Sequence, residues 1–217
     1  MSKKVAIILS GCGVFDGAEI NETVLTALSL DQQGAQVEYF APNIVQHHVL
    51  NHLTGEEMPE QRNVLVESAR ITRGKSRDIL ELKAADFDAV ILPGGFGVAK
   101  NLSDFAFKGA DCRVQEDTLQ AILQFKSARK PVGLICISPA LSAKIFGEGV
   151  RCTIGNDADT AAAITQMGGE HQDCAVDGIV VDEKNRLVTT PAYMLAQSIS
   201  EAAKGIDKLV EQVLAMA

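Results

Sequence analysis

Three short apolar runs, each ending abruptly in glycine, proline or cysteine, limit how this chain can fold. They are Val5-Ala6-Ile7-Ile8-Leu9 before Ser10-Gly11-Cys12-Gly13, Ala89-Val90-Ile91-Leu92 before Pro93-Gly94-Gly95, and Val132-Gly133-Leu134-Ile135 before Cys136. Runs of four or five residues without polar alternation suit strands buried on both faces, as in parallel sheets covered by helices on each side. Between the first run and a second strand at Gln36–Phe40, Ala18–Gln33 reads as a helix. Its stripe is Ile20, Val24, Ala27 and Leu28, and Gly34 stops it. This βαβ unit requires a parallel pair and a right-handed crossover.

Later segments extend the pattern. Cys112–Arg129 and Asp157–Met167 read as helices, and Leu195, Ile199, Ala202, Ile206, Leu209, Val210 and Val213 space a long closing amphipathic helix. Glu170–Val176, Ile179–Val181 and Leu187–Thr190 read as short strands, with Asp177-Gly178 as a hairpin turn between the first two. Residues 43–87 lack clear periodicity. Asn63–Ile71 alternates loosely, as a strand would, and Gly74–Ala85 suits a short helix. An excursion of this length serves as a lid, an edge ribbon or an oligomer contact. The expected fold is one α/β domain over residues 1–217, its mostly parallel central sheet covered by helices on both faces.

Composition narrows the function classes. A net charge of −8 without a Lys/Arg run argues against nucleic acid as a partner. No apolar stretch approaches a membrane span, and the first run is too short for a secretory core. The five cysteines, at 12, 112, 136, 152 and 174, have neither C-x-x-C spacing nor the density of a disulfide scaffold, which points to a reducing, cytoplasmic compartment. His48 and His52 are four apart, but no H-E-x-x-H frame or third ligand accompanies them, so no metal is expected.

In sheets of this kind, sites gather where strands end on their carboxyl side, so loops 10–17, 93–97 and 136–138 should converge. Cys136 sits between a buried strand and Ser138-Pro139, an N-cap and first-turn pair expected to open a helix over 139–146. There it has two readings: a small buried hydrophobe, or a nucleophile whose pKa is lowered by the helix start. Gly94 and Gly95 either end a strand or present backbone N–H groups to an oxyanion. Gly11–Gly17 matches a glycine-rich dinucleotide loop, with Glu38 where a ribose-binding acid would be sought. Asp16, however, would set a negative charge beside the phosphates. By periodicity Glu22 is a solvated glutamate opposite the apolar stripe. His171 and Asp173 could imitate a base–acid pair for Cys136, but no loop carries them to the carboxyl edge.

Taken together, the first loop with Glu22-Thr23-Val24, the Val90–Gly95 strand end and the Gly133-Leu134-Ile135-Cys136 elbow resemble the ThiJ/PfpI superfamily. These are flavodoxin-like three-layer sandwiches related to class I glutamine amidotransferases, and the likeness is strongest to the branch of isoprenoid-biosynthesis (ElbB-type) proteins. The resemblance implies a nucleophilic Cys136, a carboxyl partner at Glu22, and backbone donors from Gly94, Gly95 and Ile137. It also implies a homodimer, and cofactor-free glyoxalase chemistry on small 2-oxoaldehydes such as glyoxal. On that reading Glu22 moves a proton between the two substrate carbons. In a redox-sensor alternative Cys136 is oxidised and Cys12 resolves it. Two departures stand out. Many relatives carry histidine after the cysteine, where this chain has Ile137. Thr189-Thr190-Pro191-Ala192-Tyr193 fills the region of the amidotransferase histidine–glutamate pair, so ammonia release from glutamine is not expected.

Overall fold

The apolar runs form the centre of a seven-stranded sheet in a computed structural model that describes residues 2–217. In chain order, β1 (Lys4–Ile8), α1 (Ile20–Gln32), β2 (Gln36–Ala41), α2 (Val64–Ile71) and β3 (Ser76–Asp78) build one half. The other half holds β4 (Ala89–Leu92), α3 (Phe96–Lys100), α4 (Phe105–Lys108), α5 (Glu116–Ser127), β5 (Val132–Ile135) and α6 (Ser142–Phe146). Then follow β6 (Arg151–Cys152), α7 (Ala158–Gln166), β7 (Glu170–His171), β8 (Val180–Asp182), β9 (Leu187–Thr190) and α8 (Ile199–Met216). The order across the sheet is β3-β2-β1-β4-β5-β9-β8, and only the β8–β9 pair is antiparallel.

Side-chain alternation on the buried strands divides the interior in two. Ala6, Ile8, Val90, Leu92, Val132 and Leu134 face a core shared with Ile122 and Phe125 of α5. Val5, Ile7, Ala89, Ile91 and Val188 face the other, shared with Ile206, Leu209, Val210 and Val213 of α8. The three-layer α/β sandwich expected from sequence is therefore the observed fold. The chain winds outward from β1 to β3 and then returns to lay β4 on the opposite side of β1. That reversal places the crevice at the carboxyl ends of β1, β4 and β5.

Four local expectations are corrected. Residues 64–71 form helix α2, because the Asn63 side chain caps the Val66 N–H and Glu67, Ser68 and Val64 turn inward. Residues 76–86 hold strand β3 and two 3₁₀ turns rather than a helix. There is no hairpin at Asp177-Gly178: β7 pairs in parallel with β6 in a separate two-stranded sheet, and β8 pairs with β9. Finally, the apolar stripe of α1 faces outward. Ile20, Val24 and Leu28 are 43%, 49% and 47% exposed, whereas Glu22, Thr23, Thr26 and Ser29 are buried.

Candidate active site

Cys136 immediately follows β5, and its backbone is in the left-handed region at φ +64°. Few residues other than glycine adopt this conformation without cost, and such outliers cluster at functional sites. The Cys136 N–H donates to the Thr190 carbonyl at 2.9 Å. The Ser138 hydroxyl donates to the Pro93 carbonyl at 2.9 Å, tying the elbow to the turn after β4. Ser138 is thus not the N-cap expected from sequence: it lies inside a 3₁₀ turn over Ser138–Leu141, and α6 begins at Ser142.

The turn after β4 presses against the thiol. A Cβ on Gly94 would lie 2.4 Å from the Cys136 Cβ, 2.9 Å from its Sγ and 2.8 Å from Glu22 Oε2, so only glycine fits. The Gly94 N–H donates to Glu22 Oε2 at 2.8 Å. That donor is engaged, and Gly94 is not free to serve an oxyanion. The Gly95 and Ile137 N–H groups act on the sulfur itself, drawing its pKa down against the larger opposing effects of its surroundings.

Glu22 is fully buried, and its second oxygen, Oε1, accepts the Tyr193 N–H at 3.2 Å. Burial and the neighbouring Glu19 carboxyl push its pKa up from 4.5 to about 7, against the bonds from Tyr193, Gly94 and Cys136. Burial and the Glu22 charge push Cys136 well above an ordinary thiol. The expected depression at a helix start is absent, because the residue is only 7% exposed and its thiol faces a carboxylate beside a 3₁₀ turn. Two adjacent buried acids avoid carrying two charges, so the pair keeps at least one proton near neutrality.

The sulfur opens on a cavity of about 350 Å³, walled by Val14, Phe96, Phe105, Ile137 and Met194. Glu19, Asp157, Thr160 and Tyr193 are the polar residues that line it. Glu22 does not line it. It has no exposed surface and meets the thiol from outside the cavity lining.

The chain is 45% identical to the mitochondrial ES1 protein homolog of Rattus norvegicus over 97% of its own length and 83% of the relative's. It is also 45% identical to the human mitochondrial glutamine amidotransferase-like class 1 domain-containing protein 3, over 97% and 82%. An isoprenoid biosynthesis protein with an amidotransferase-like domain from Ehrlichia chaffeensis superposes with a TM-score of 0.93 at 38% identity, covering 99% of each chain. The chain belongs to the ThiJ/PfpI superfamily. Glyoxalase III from Candida albicans, with a TM-score of 0.62 at 14% identity over 99% and 97%, shares the superfamily fold. No family model matches. No helix among the described residues is long and apolar enough to cross a membrane, while the names of the rat and human relatives place those proteins in the mitochondrion rather than in the cytoplasm that the cysteine pattern suggested.

Set within the ThiJ/PfpI superfamily, the departures gain a physical meaning. Residues 189–193, which lack the amidotransferase base pair, instead supply the Tyr193 N–H that holds Glu22, and Ala192 turns the chain there at φ +42°. No histidine lines the Cys136 cavity among the described residues. His171 instead accepts the Ile154 N–H through Nε2 at 3.3 Å. The glycine-rich loop is filled by its own chain: Asp16 accepts the Leu50 N–H at 2.7 Å, and a Cβ on Gly13 would meet His52 at 2.6 Å. Leu50 and His52 of the 43–87 excursion thus pack against this loop. Cys12 stands among the charges of Glu67, Arg70, Asp16 and Arg62, outside the cavity lining. Sequence reasoning missed Glu19, Tyr193 and the cavity wall. Glu19 was legible only as an acid at a helix start.

Proposed function

We propose that this protein is a cofactor-free, glutathione-independent glyoxalase that converts glyoxal and related small 2-oxoaldehydes to 2-hydroxy acids. The supporting observation is a thiol held at a strained elbow, backed by a sealed carboxyl whose pKa is about 7, and open on its other side to an apolar cavity. A base of that pKa suits proton transfer near neutral pH. Glu22 takes the Cys136 proton as sulfur attacks the aldehyde carbon, giving a hemithioacetal. The Gly95 and Ile137 N–H groups, which act on the sulfur at rest, are near enough to hold the oxygen as it gains charge. Transfer of a proton from the first carbon to the second gives a thioester, which water hydrolyses to glycolate and the free thiol.

Glycolate formation from glyoxal should vanish in Cys136→Ser and fall about a hundredfold or more in Glu22→Gln. Unchanged rates in both variants would sink this reading. The redox-sensor alternative is weaker, because burial keeps the thiol protonated and Cys12 lies outside the cavity. Mild peroxide followed by peptide mapping tests it through a Cys12–Cys136 crosslink.

A further inference from the structure

The proposed mechanism leaves one step without a group to perform it. Converting a hemithioacetal to a thioester requires a base that reaches the C–H bond on the cavity side of the sulfur, and Glu22 is absent from the cavity lining, with both oxygens already held by backbone N–H groups. Two other carboxyls line the cavity, Glu19 and Asp157. Asp157 is exposed, and its bonds from the Thr160 hydroxyl and N–H at the start of α7 hold it below the usual carboxylate range. An acid stabilised in that way is a poor base. Glu19 is partly buried and raised by desolvation.

Its placement is fixed from two sides. Its Oε2 accepts the Glu22 N–H at 2.6 Å, and its own N–H donates to the Gly94 carbonyl at 3.0 Å. It is therefore built onto the same glycine that presses against Cys136. A Cβ on Gly95 would lie 2.4 Å from the Glu19 nitrogen, so backbone and backbone are in contact at this point.

We infer that Glu19 is a catalytic residue, the carboxylate that takes the proton from the first carbon of the Cys136 hemithioacetal and returns it to the second. This rests on the glyoxalase reading. The step balances without any oxidant or reductant. The C–H pair of the first carbon becomes the carbon–carbon double bond of an enediolate as Glu19 takes the proton, and the proton of the first carbon's hydroxyl passes to the second oxygen. Glu19 then returns its proton to the second carbon, and the thioester carbonyl forms on the first. Glu22 and Glu19 thus divide the work: the first serves the sulfur, the second the carbon.

The test uses full-length wild type, Glu19→Gln, Glu19→Asp and Glu22→Gln with glyoxal in D₂O. Glycolate and its deuterium are read by NMR, and the Cys136 adduct by peptide mass. Glu19→Gln keeps an oxygen to cap the helix but cannot move a proton. It should still form the adduct, accumulate it, and make glycolate about a hundredfold more slowly. Glu19→Asp should fall between the two, and it carries the test if the glutamine variant does not fold. Glu22→Gln should form adduct slowly instead. Turnover in both Glu19 variants within about threefold of wild type, with no adduct build-up, overturns the assignment, because a working acid–base group contributes about a hundredfold. No glycolate and no adduct from wild type overturns the glyoxalase reading itself, which is a separate result from normal wild-type turnover with indifferent Glu19 variants.

Discussion

Burying Glu22 should make this protein lose stability as pH rises through the range in which most proteins are steady. The carboxyl ionises near 4.5 in an unfolded chain and at about 7 in the folded one. The folded state therefore holds the proton more tightly, and stability is greatest while both states are protonated. Between those values the unfolded chain ionises first and gains free energy that the folded chain does not. Above about 7 both are ionised and the loss is complete. At about 1.36 kcal/mol per pH unit the full loss is about 3 kcal/mol, of which about 2.5 kcal/mol falls between about pH 5 and about pH 8. Against a typical domain stability of about 5–15 kcal/mol this is easily measured. Urea unfolding of wild type and Glu22→Gln across that interval isolates the effect, because the other carboxylates cancel in the difference. Glutamine leaves one of the Gly94 and Tyr193 donors facing an amide, a cost that does not vary with pH. The difference between the two proteins should therefore shift by about 2.5 kcal/mol in favour of the variant as pH rises. A difference constant to within about 0.5 kcal/mol, or one that grows in the wild type's favour, would refute the burial argument.

Other perturbations probe the same region. Gly94→Ala should lower stability by about 1–3 kcal/mol, or about 2–4 °C in melting temperature for each kcal/mol, because its methyl would overlap Cys136; a calorimetric melt unchanged from wild type would contradict that contact. Thr26→Val should raise stability by about 1 kcal/mol in a urea titration, since the Thr26 hydroxyl is buried without a hydrogen-bond partner, and a loss would show that a partner exists. Iodoacetamide should label Cys136 more slowly in Glu22→Gln than in wild type at about pH 8, because the carboxylate that takes the thiol proton is gone; equal or faster labelling would mean that its charge only opposes the thiolate.

The parts of this fold written in local chemistry were legible in the order of residues alone. The fully apolar runs could be nothing but interior strands, and the Cys136 turn announced itself through its position after one of them. What escaped the sequence depended on partners distant in the chain. Helix α1 is the sharpest case: Ile20, Val24 and Leu28 face outward because the site needs Glu22 inside, so the usual inference from amphipathicity chose the wrong face. Only the family likeness drew Glu22 inward. Residues 177–178 read as a hairpin turn because Asp-Gly is a strong local signal, but parallel pairing of β6 with β7 overrode it. Tyr193 was invisible because it contributes its backbone, which no residue identity advertises.

Cys136 at φ +64° occupies a conformation that costs an L-residue about 1–2 kcal/mol and glycine almost nothing. Every folded molecule carries that cost, whether or not a substrate is present. Selection for the thiol therefore works against the backbone at the same position. In a lineage released from the need for a thiol, the substitution that relaxes the elbow is glycine, ahead of alanine or serine. Glycine at this position would mark a descendant that kept the fold and gave up its chemistry, whereas serine or alanine there would mark a site still bearing the strain of its former use.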